Sequence, residues 1–327
     1  MIKPKSKILA NEKYLVIVRV GLRLRCINHV SVKVGLDMFS GSIVALITPF
    51  FQGQVDEAAL RALVEWQIQE GTQAIVVCGC TGEGALLSSQ ERHQVLSASL
   101  NAARARIPVI MGCSSPSTQD VIQMVKEAES LGAAAALVVT PYYVKPMPEG
   151  IFQHFQAITE ASSLPLIIYN HPGRTMIDLP VALLARLATL TTVVGIKDSG
   201  TDLRRPIQLR QAISKPFCFL SGDDPTAGAY LAKGGDGCIS VTANVAPRLC
   251  QEMISAWQNQ DLQTFSTIRD RLFPLHEALL METNPSPLKF AVSLLGKCQN
   301  ELRLPLVPIS FPTEKVVQET MIEVGVL

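Results

Sequence analysis

Residues 193–200 read Val-Val-Gly-Ile-Lys-Asp-Ser-Gly, and they show the pattern that decides the fold. A short β-branched, apolar run is followed at once by polar residues, as expected of a strand that is buried on both faces. The pattern occurs eight times, at Ile43–Thr48, Ala74–Cys78, Pro108–Gly112, Ala136–Thr140, Leu166–Tyr169, Val193–Lys197, Phe217–Ser221 and Cys238–Val241. Continuous apolar runs of this kind predict parallel strands.

Helical patterns fill the gaps between these runs. After Asp56, a predicted N-cap, apolar residues recur at steps of three and four until Gly71. A second helix is predicted between Ser117 and Gly132. Eight strand–helix units predict an α/β fold, the (β/α)8 TIM barrel. An open doubly wound sheet is the alternative, but no Gly-x-Gly-x-x-Gly follows the first strand, so a dinucleotide-binding fold has no support.

Three segments are predicted along the chain. Residues 1–37 carry eight Lys or Arg against two Glu or Asp, which indicates a poorly ordered extension or a start assigned ahead of Met38. A basic targeting presequence is the alternative. Residues 38–246 are predicted to form the catalytic barrel, and residues 247–327 a helical region that packs on it, because the pattern becomes helical from Pro247.

The composition argues against several classes of protein. Hydrophobic residues make up 48% of the chain and charged residues 17%, which provides for a sizeable core. A net charge of +1, without a basic block beyond the N-terminus, argues against a nucleic-acid partner. No apolar run approaches the roughly 18 residues needed to cross a membrane. The eight cysteines are scattered through apolar runs, which indicates reduced thiols and a cytoplasmic location.

Lys197 is the most informative candidate for chemistry. It closes an apolar run, so its side chain is expected to enter the mouth of the barrel between apolar walls. Desolvation there disfavours the ammonium form and leaves an amine that can attack a carbonyl. A salt-bridged lysine at the rim is the alternative, although Asp198 is expected to point the other way.

Other polar residues also follow strand ends, where the reacting groups of such barrels collect. Tyr169 and Tyr143 can supply hydroxyls for proton transfer, or they can simply pack at the rim. The turn at residues 79–82, Gly-Cys-Thr-Gly, can present backbone N–H groups to an anion. Arg174 is a candidate clamp for a carboxylate, with a solvated loop arginine as the alternative.

Taken together, the segments resemble the dihydrodipicolinate synthase / N-acetylneuraminate lyase superfamily from Met38 to about Ser310. The resemblance depends on motifs in the family order: 39–45 (FSGSIVA), 81–83 (TGE), 140–143 (TPYY), 169–175 (YNHPGRT), 195–198 (GIKD), 221–224 (SGDD) and 239–244 (ISVTAN). The pattern Tyr-Asn-x-Pro-x-Arg-Thr favours the synthases over the sialic-acid lyases.

This resemblance implies a Schiff-base reaction. Lys197 would form an imine with pyruvate, and the derived enamine would attack the aldehyde of L-aspartate 4-semialdehyde. Tyr169 would move protons and orient the imine. Tyr143 would belong to the site of a neighbouring subunit, which implies a homo-oligomer, a dimer of dimers. Neither a metal ion nor an organic cofactor is implied.

The resemblance also assigns the residues that bind the substrates. Thr81, with neighbouring backbone amides, would hold the pyruvate carboxylate, and Arg174 would receive the carboxylate of the semialdehyde. Ile239 would line the pyruvate pocket, and Gly222 would also belong to the substrate-binding set.

Two departures from the family pattern stand out. Cys80 replaces the threonine that links the two tyrosines in a hydroxyl relay, and a thiol is a weaker hydrogen-bonding group. Lysine-sensitive synthases carry a histidine, an asparagine and a glutamate where this chain has Ser89 or Arg92, Pro116 and Asp120. The sequence therefore predicts a looser relay and weak or absent inhibition by L-lysine.

Two other functions stay open at this point. Cys80 leaves room for another pyruvate-dependent aldolase, acting on a sugar acid or a different aldehyde. A weakened relay also fits a homologue that has lost catalysis and acts as a ligand sensor. Retention of Lys197, Tyr169, Tyr143 and Arg174 together argues against the sensor.

Overall fold

The computed structural model describes residues 39–327. Eight strands form a closed barrel in the order β1-β10-β9-β8-β7-β6-β5-β4, and all neighbouring pairs are parallel. A hairpin of β2 and β3 lies outside the barrel. The strands are β1 Gly41–Ala45, β2 Phe50–Phe51, β3 Gln54–Val55, β4 Ala74–Val77, β5 Val109–Gly112, β6 Ala135–Val139, β7 Leu166–Asn170, β8 Val193–Asp198, β9 Cys218–Ser221 and β10 Gly237–Ser240. The prediction of a (β/α)8 barrel is confirmed.

Helices alternate with the strands and then continue after the last one. They are α1 Glu57–Gln69, α2 Ser89–Ala103, α3 Thr118–Leu131, α4 Pro148–Ala161, α5 Pro172–Thr175, α6 Val181–Ala188, α7 Arg205–Ala212, α8 Ala227–Ala232, α9 Pro247–Gln258, α10 Leu262–Ala278, α11 Ser286–Leu294 and α12 Phe311–Val324. None of these helices, within residues 39–327, is both long and apolar enough to span a bilayer.

The helix boundaries follow from capping chemistry that is visible in the sequence. The side chain of Asp56 accepts a hydrogen bond from the backbone N–H of Ala59 and starts α1, as predicted. Ser117 caps α3 in the same way, and Gly132 ends that helix with φ of +93°. A left-handed conformation of this kind is easiest for glycine, which explains where the helix stops.

The first strand is shorter at its carboxyl end than the apolar run predicts. The run extends to Thr48, but β1 ends at Ala45. The backbone N–H of Ile47 donates to Oδ1 of Asn244 at 3.0 Å, so a side chain replaces the neighbouring strand there. An apolar pattern records burial, and it cannot distinguish a backbone partner from a side-chain partner.

The predicted division at residues 246 and 247 coincides with the start of α9, from which the chain is helical up to α12. The described residues all belong to one compact unit. The predicted extension at residues 1–37 lies outside the described residues.

Candidate active site

The register of β7 and β8 places Tyr169 and Lys197 side by side. Their Cα atoms are partners in the ladder, so the two side chains leave the sheet on the same face. The Nζ atom of Lys197 lies 4.3 Å from the centre of the Tyr169 ring. Both side chains are buried, with 5% of Lys197 and 7% of Tyr169 exposed. The structure thus holds a lysine amine against an aromatic ring inside the barrel.

Asp198 does not neutralise this amine. Its carboxylate accepts a hydrogen bond from Asn170 at 2.9 Å and lies 3.4 Å from Nε of Arg205. The prediction that Asp198 points away from Lys197 is confirmed. None of the ion pairs formed within residues 39–327 includes Lys197, which contradicts the salt-bridged alternative.

Gly222, one residue beyond β9, packs directly against the lysine. A Cβ atom at this position would lie 2.9 Å from Cε and 3.0 Å from Cγ of Lys197, and closer still to Oγ of Ser199. These distances are shorter than ordinary van der Waals contact. The absence of a side chain at Gly222 therefore leaves the room that the lysine stem occupies.

The turn after β4 places Cys80 and Thr81 at the carboxyl end of the parallel strands, the same end of the barrel as Lys197 and Tyr169. The strand ends one residue before the predicted Cys78, because Cys78 has φ of +54° and turns the chain. Oγ1 of Thr48 donates to the carbonyl of Gly82 at 2.7 Å and holds the turn against the segment that follows β1.

Thr81 and Arg174 meet at one residue that the sequence did not single out. Nδ2 of Asn284 donates to Oγ1 of Thr81 at 3.0 Å. A guanidinium nitrogen of Arg174 donates to the backbone carbonyl of the same Asn284 at 2.9 Å. The two candidate carboxylate-binding residues, which are far apart in sequence, are therefore joined through the C-terminal helical region.

A cavity of about 260 Å³ opens beside these residues. Its walls include Cys80, Tyr169 and Arg174 among the predicted site residues. Lys197, Thr81, Gly222 and Ile239 are not on its lining. Nζ of Lys197 lies over the face of the Tyr169 ring, which does line the cavity, and Ile239 is fully buried on β10. Tyr143 lies outside this cavity, with 97% of its surface exposed.

His171 lies on the cavity wall, and no pattern in the sequence predicted a role for it. Its ring centre lies 5.4 Å from that of Tyr169, and its Nδ1 is buried without a partner among the described residues. Burial, and then the charges of Lys197 and Arg174, lower the pKa of His171 to about 4. His171 is therefore a neutral imidazole at physiological pH.

A fully buried ion pair links the Cys80–Glu83 turn to α11. Nζ of Lys289 lies 2.5 Å from Oε1 of Glu83, and neither side chain is exposed. Lys289 also donates to the carbonyl of Glu301 at 2.7 Å, and its Nζ lies 4.0 Å from the centre of the Phe50 ring. Burial lowers the pKa of Lys289, and the nearby carboxylate of Glu83 opposes this shift.

Comparison with known proteins identifies the family. The model of the dihydrodipicolinate synthetase family matches residues 38–323. The 4-hydroxy-tetrahydrodipicolinate synthase of Rhodospirillum centenum is 52% identical over 290 residues, which is 89% of this chain and 100% of that protein.

Solved structures agree with the sequence comparison. The dihydrodipicolinate synthase of Acinetobacter baumannii, crystallised with pyruvate, is 42% identical with a TM-score of 0.86, over 88% of this chain and 99% of that one. The Thermotoga maritima enzyme is 40% identical with a TM-score of 0.86, over 89% of this chain and 100% of that one. The chain belongs to the dihydrodipicolinate synthetase family.

Proposed function

We propose that the protein condenses pyruvate with L-aspartate 4-semialdehyde to give 4-hydroxy-tetrahydrodipicolinate, a step of lysine and diaminopimelate biosynthesis. It is a lyase that works through a Schiff base. The observation that carries the proposal is the buried amine of Lys197, which is 4.3 Å from the Tyr169 ring and has no carboxylate partner among the described residues. Relatives that are 50% and 52% identical to this chain are named 4-hydroxy-tetrahydrodipicolinate synthase, which supports the proposal.

In the proposed mechanism, the amine of Lys197 bonds to C2 of pyruvate, and loss of water gives an imine. Loss of a proton from C3 gives an enamine, whose C3 bonds to the aldehyde carbon of the semialdehyde. The amino group of the semialdehyde then displaces Lys197 from C2, which closes the ring and regenerates the free lysine. We assign the proton transfers of these steps to the hydroxyl of Tyr169, whose ring centre lies 4.3 Å from Nζ of Lys197. The proposed chemistry requires neither a metal ion nor an organic cofactor.

We assign the two substrate carboxylates to opposite sides of Asn284. Thr81 and the adjoining backbone amides hold the carboxylate of pyruvate, and Arg174 on the cavity wall receives that of the semialdehyde. Gly222 leaves room for the lysine stem, and Ile239 closes the interior side of the pyruvate pocket.

We further propose that a second copy of the chain completes the site through Tyr143. This residue is held at φ of +68° and is 97% exposed. Val144, Met147 and Met176 are also exposed, at 59%, 76% and 75%. Exposed apolar side chains of this kind are typical of an interface between proteins. The Tyr169 hydroxyl has no hydrogen-bond partner within residues 39–327, so it is available to interact with Tyr143 of a second copy. The assembly proposed is a dimer of dimers.

The domain boundaries and the cellular location of the protein are also part of the proposal. Residues 38–246 form the catalytic barrel, and residues 247–327 form a helical region that supports its site. We place the protein in the cytoplasm. The seven cysteines among the described residues are all free thiols, as expected in a reducing compartment.

A second candidate activity is aldol chemistry on another aldehyde, such as that derived from a 2-keto-3-deoxy sugar acid. The observation that favours it is Cys80 on the cavity wall, where the synthases that the chain resembles carry threonine. A coupled assay that compares aspartate semialdehyde with 2-keto-3-deoxy sugar acids separates the two activities. Arg174 beside the same cavity favours the semialdehyde.

Borohydride trapping tests the proposed function directly. Treatment with pyruvate and borohydride is expected to leave a reduced pyruvate adduct on the peptide that contains Lys197, identified by mass spectrometry. Lys197→Arg is expected to abolish both the adduct and turnover, because a guanidinium cannot form the imine. The matched control is Lys233→Arg, at an exposed lysine, which is expected to change neither. A wild-type protein without an adduct would be a catalytically inactive homologue, such as a ligand sensor.

A further inference from the structure

Asn284 lies between the two proposed carboxylate-binding residues, Thr81 and Arg174, although it does not belong to the barrel. It precedes α11 in the C-terminal helical region, 203 residues from Thr81 and 110 residues from Arg174 along the chain. Its side-chain amide donates to the hydroxyl of Thr81, and its backbone carbonyl accepts from Arg174. One residue therefore contacts both proposed carboxylate-binding side chains through different atoms.

The direction of the bond to Thr81 has a chemical consequence. A threonine hydroxyl has a single proton and two acceptor lone pairs. When the amide of Asn284 occupies one lone pair, the proton of Thr81 is left to donate elsewhere. A donor is what an anionic carboxylate needs, and donation to Oγ1 also polarises the hydroxyl.

The remainder of the C-terminal region holds Asn284 in place. Five residues further on, Lys289 of α11 forms the buried ion pair with Glu83, in the same turn as Thr81. The backbone N–H of Arg303 donates to the other carboxylate oxygen of Glu83 at 3.0 Å. The Thr81 turn is thus fastened at two further points to the region that carries Asn284.

We propose that Asn284 is a positioning residue of the substrate site, whose side-chain amide orients the Thr81 hydroxyl as a donor toward the carboxylate of pyruvate. The proposal rests on the function proposed above. Two groups of Asn284 serve different substrates, since the side chain acts on pyruvate through Thr81 and the backbone carbonyl acts on the semialdehyde through Arg174. Removal of the side chain alone is therefore expected to affect only one substrate.

The decisive variant is Asn284→Ala, which removes the amide and keeps the backbone carbonyl. The expected result is a rise in KM for pyruvate of roughly three- to tenfold, the usual scale for one hydrogen bond between neutral groups. KM for the semialdehyde and kcat at saturating pyruvate are expected to stay within about twofold of wild type. The pyruvate dependence of borohydride inactivation provides the same half-saturation shift without the second substrate. Asn259→Ala, at an exposed asparagine of the same region, is the matched control and is expected to change none of these values.

A double-mutant cycle identifies the route of the effect. In a Thr81→Val background, Asn284→Ala is expected to add no further rise in KM for pyruvate, because the hydroxyl through which it acts is gone. Additive effects, or equal rises in KM for both substrates, would overturn the inference. If wild type forms no pyruvate adduct, the proposed function and this inference fall together. If the adduct forms and Asn284→Ala binds pyruvate normally, this inference alone is wrong.

Discussion

Gly222→Ala offers a sharp test of how the lysine is placed. The added methyl group would lie 2.9 Å from Cε and 3.0 Å from Cγ of Lys197. It would lie closer still to Oγ of Ser199, whose side chain has to turn away. Carbon atoms pack comfortably at about 3.5 to 4.0 Å, so the lysine stem also has to move, by roughly 0.5 to 1 Å. Displacement of a reacting group by about 1 Å can lower the rate about 100-fold. We therefore expect kcat to fall by roughly two orders of magnitude.

The measurement is steady-state turnover of pyruvate and aspartate semialdehyde in a coupled assay, with thermal unfolding followed in parallel. Overpacking lowers the free energy of unfolding by about 1 to 3 kcal/mol. The Tm is therefore expected to fall by some degrees while the protein stays folded at the assay temperature. Gly150→Ala is the matched control, because its Cβ would meet only Cβ of Pro146, at an ordinary 3.6 Å, and turnover should not change. Wild-type kcat in a folded Gly222→Ala protein would show that the lysine does not depend on this packing.

Three further outcomes are expected. Lys289→Met leaves the Glu83 carboxylate buried without its cationic partner and should lower the free energy of unfolding by about 3 to 5 kcal/mol in chemical denaturation. A loss below about 1 kcal/mol would contradict a buried ion pair. Cys80→Thr restores a stronger hydroxyl relay on the cavity wall and should raise kcat by about 10- to 100-fold; an unchanged kcat would refute the relay. L-Lysine should inhibit turnover weakly or not at all, and half-inhibition at low-millimolar concentration would show that Pro116 and Asp120 do not impair its site.

Much of the candidate site could be predicted because strand ends are visible in the sequence. An apolar run of four to six residues that stops at a polar residue marks both a buried strand and the end at which chemistry collects. Lys197 and Tyr169 were found in this way, each within one residue of the carboxyl end of its strand. The opposite direction of Asp198 followed from the alternation of side chains along a strand.

The contributions of the C-terminal region could not be found in this way. Lys289 lies in the apolar stretch 287–295, where the one charge is the only signal of its buried partner. Asn284 has no motif, and its contacts with Thr81 and Arg174 cross more than 100 residues. Neither periodicity nor spacing reports which distant loop closes over a strand end.

The sequence by itself determined the closed ring of eight parallel strands and the lysine that ends one of them, because burial and backbone periodicity are local properties of a chain. Only the tertiary structure decided what surrounds that lysine: the bare face of Gly222, the neutral His171, and the bridge from Asn284 to Thr81 and Arg174. These contacts join segments that are remote in sequence, so they arise only when the helices after the barrel pack against its open end.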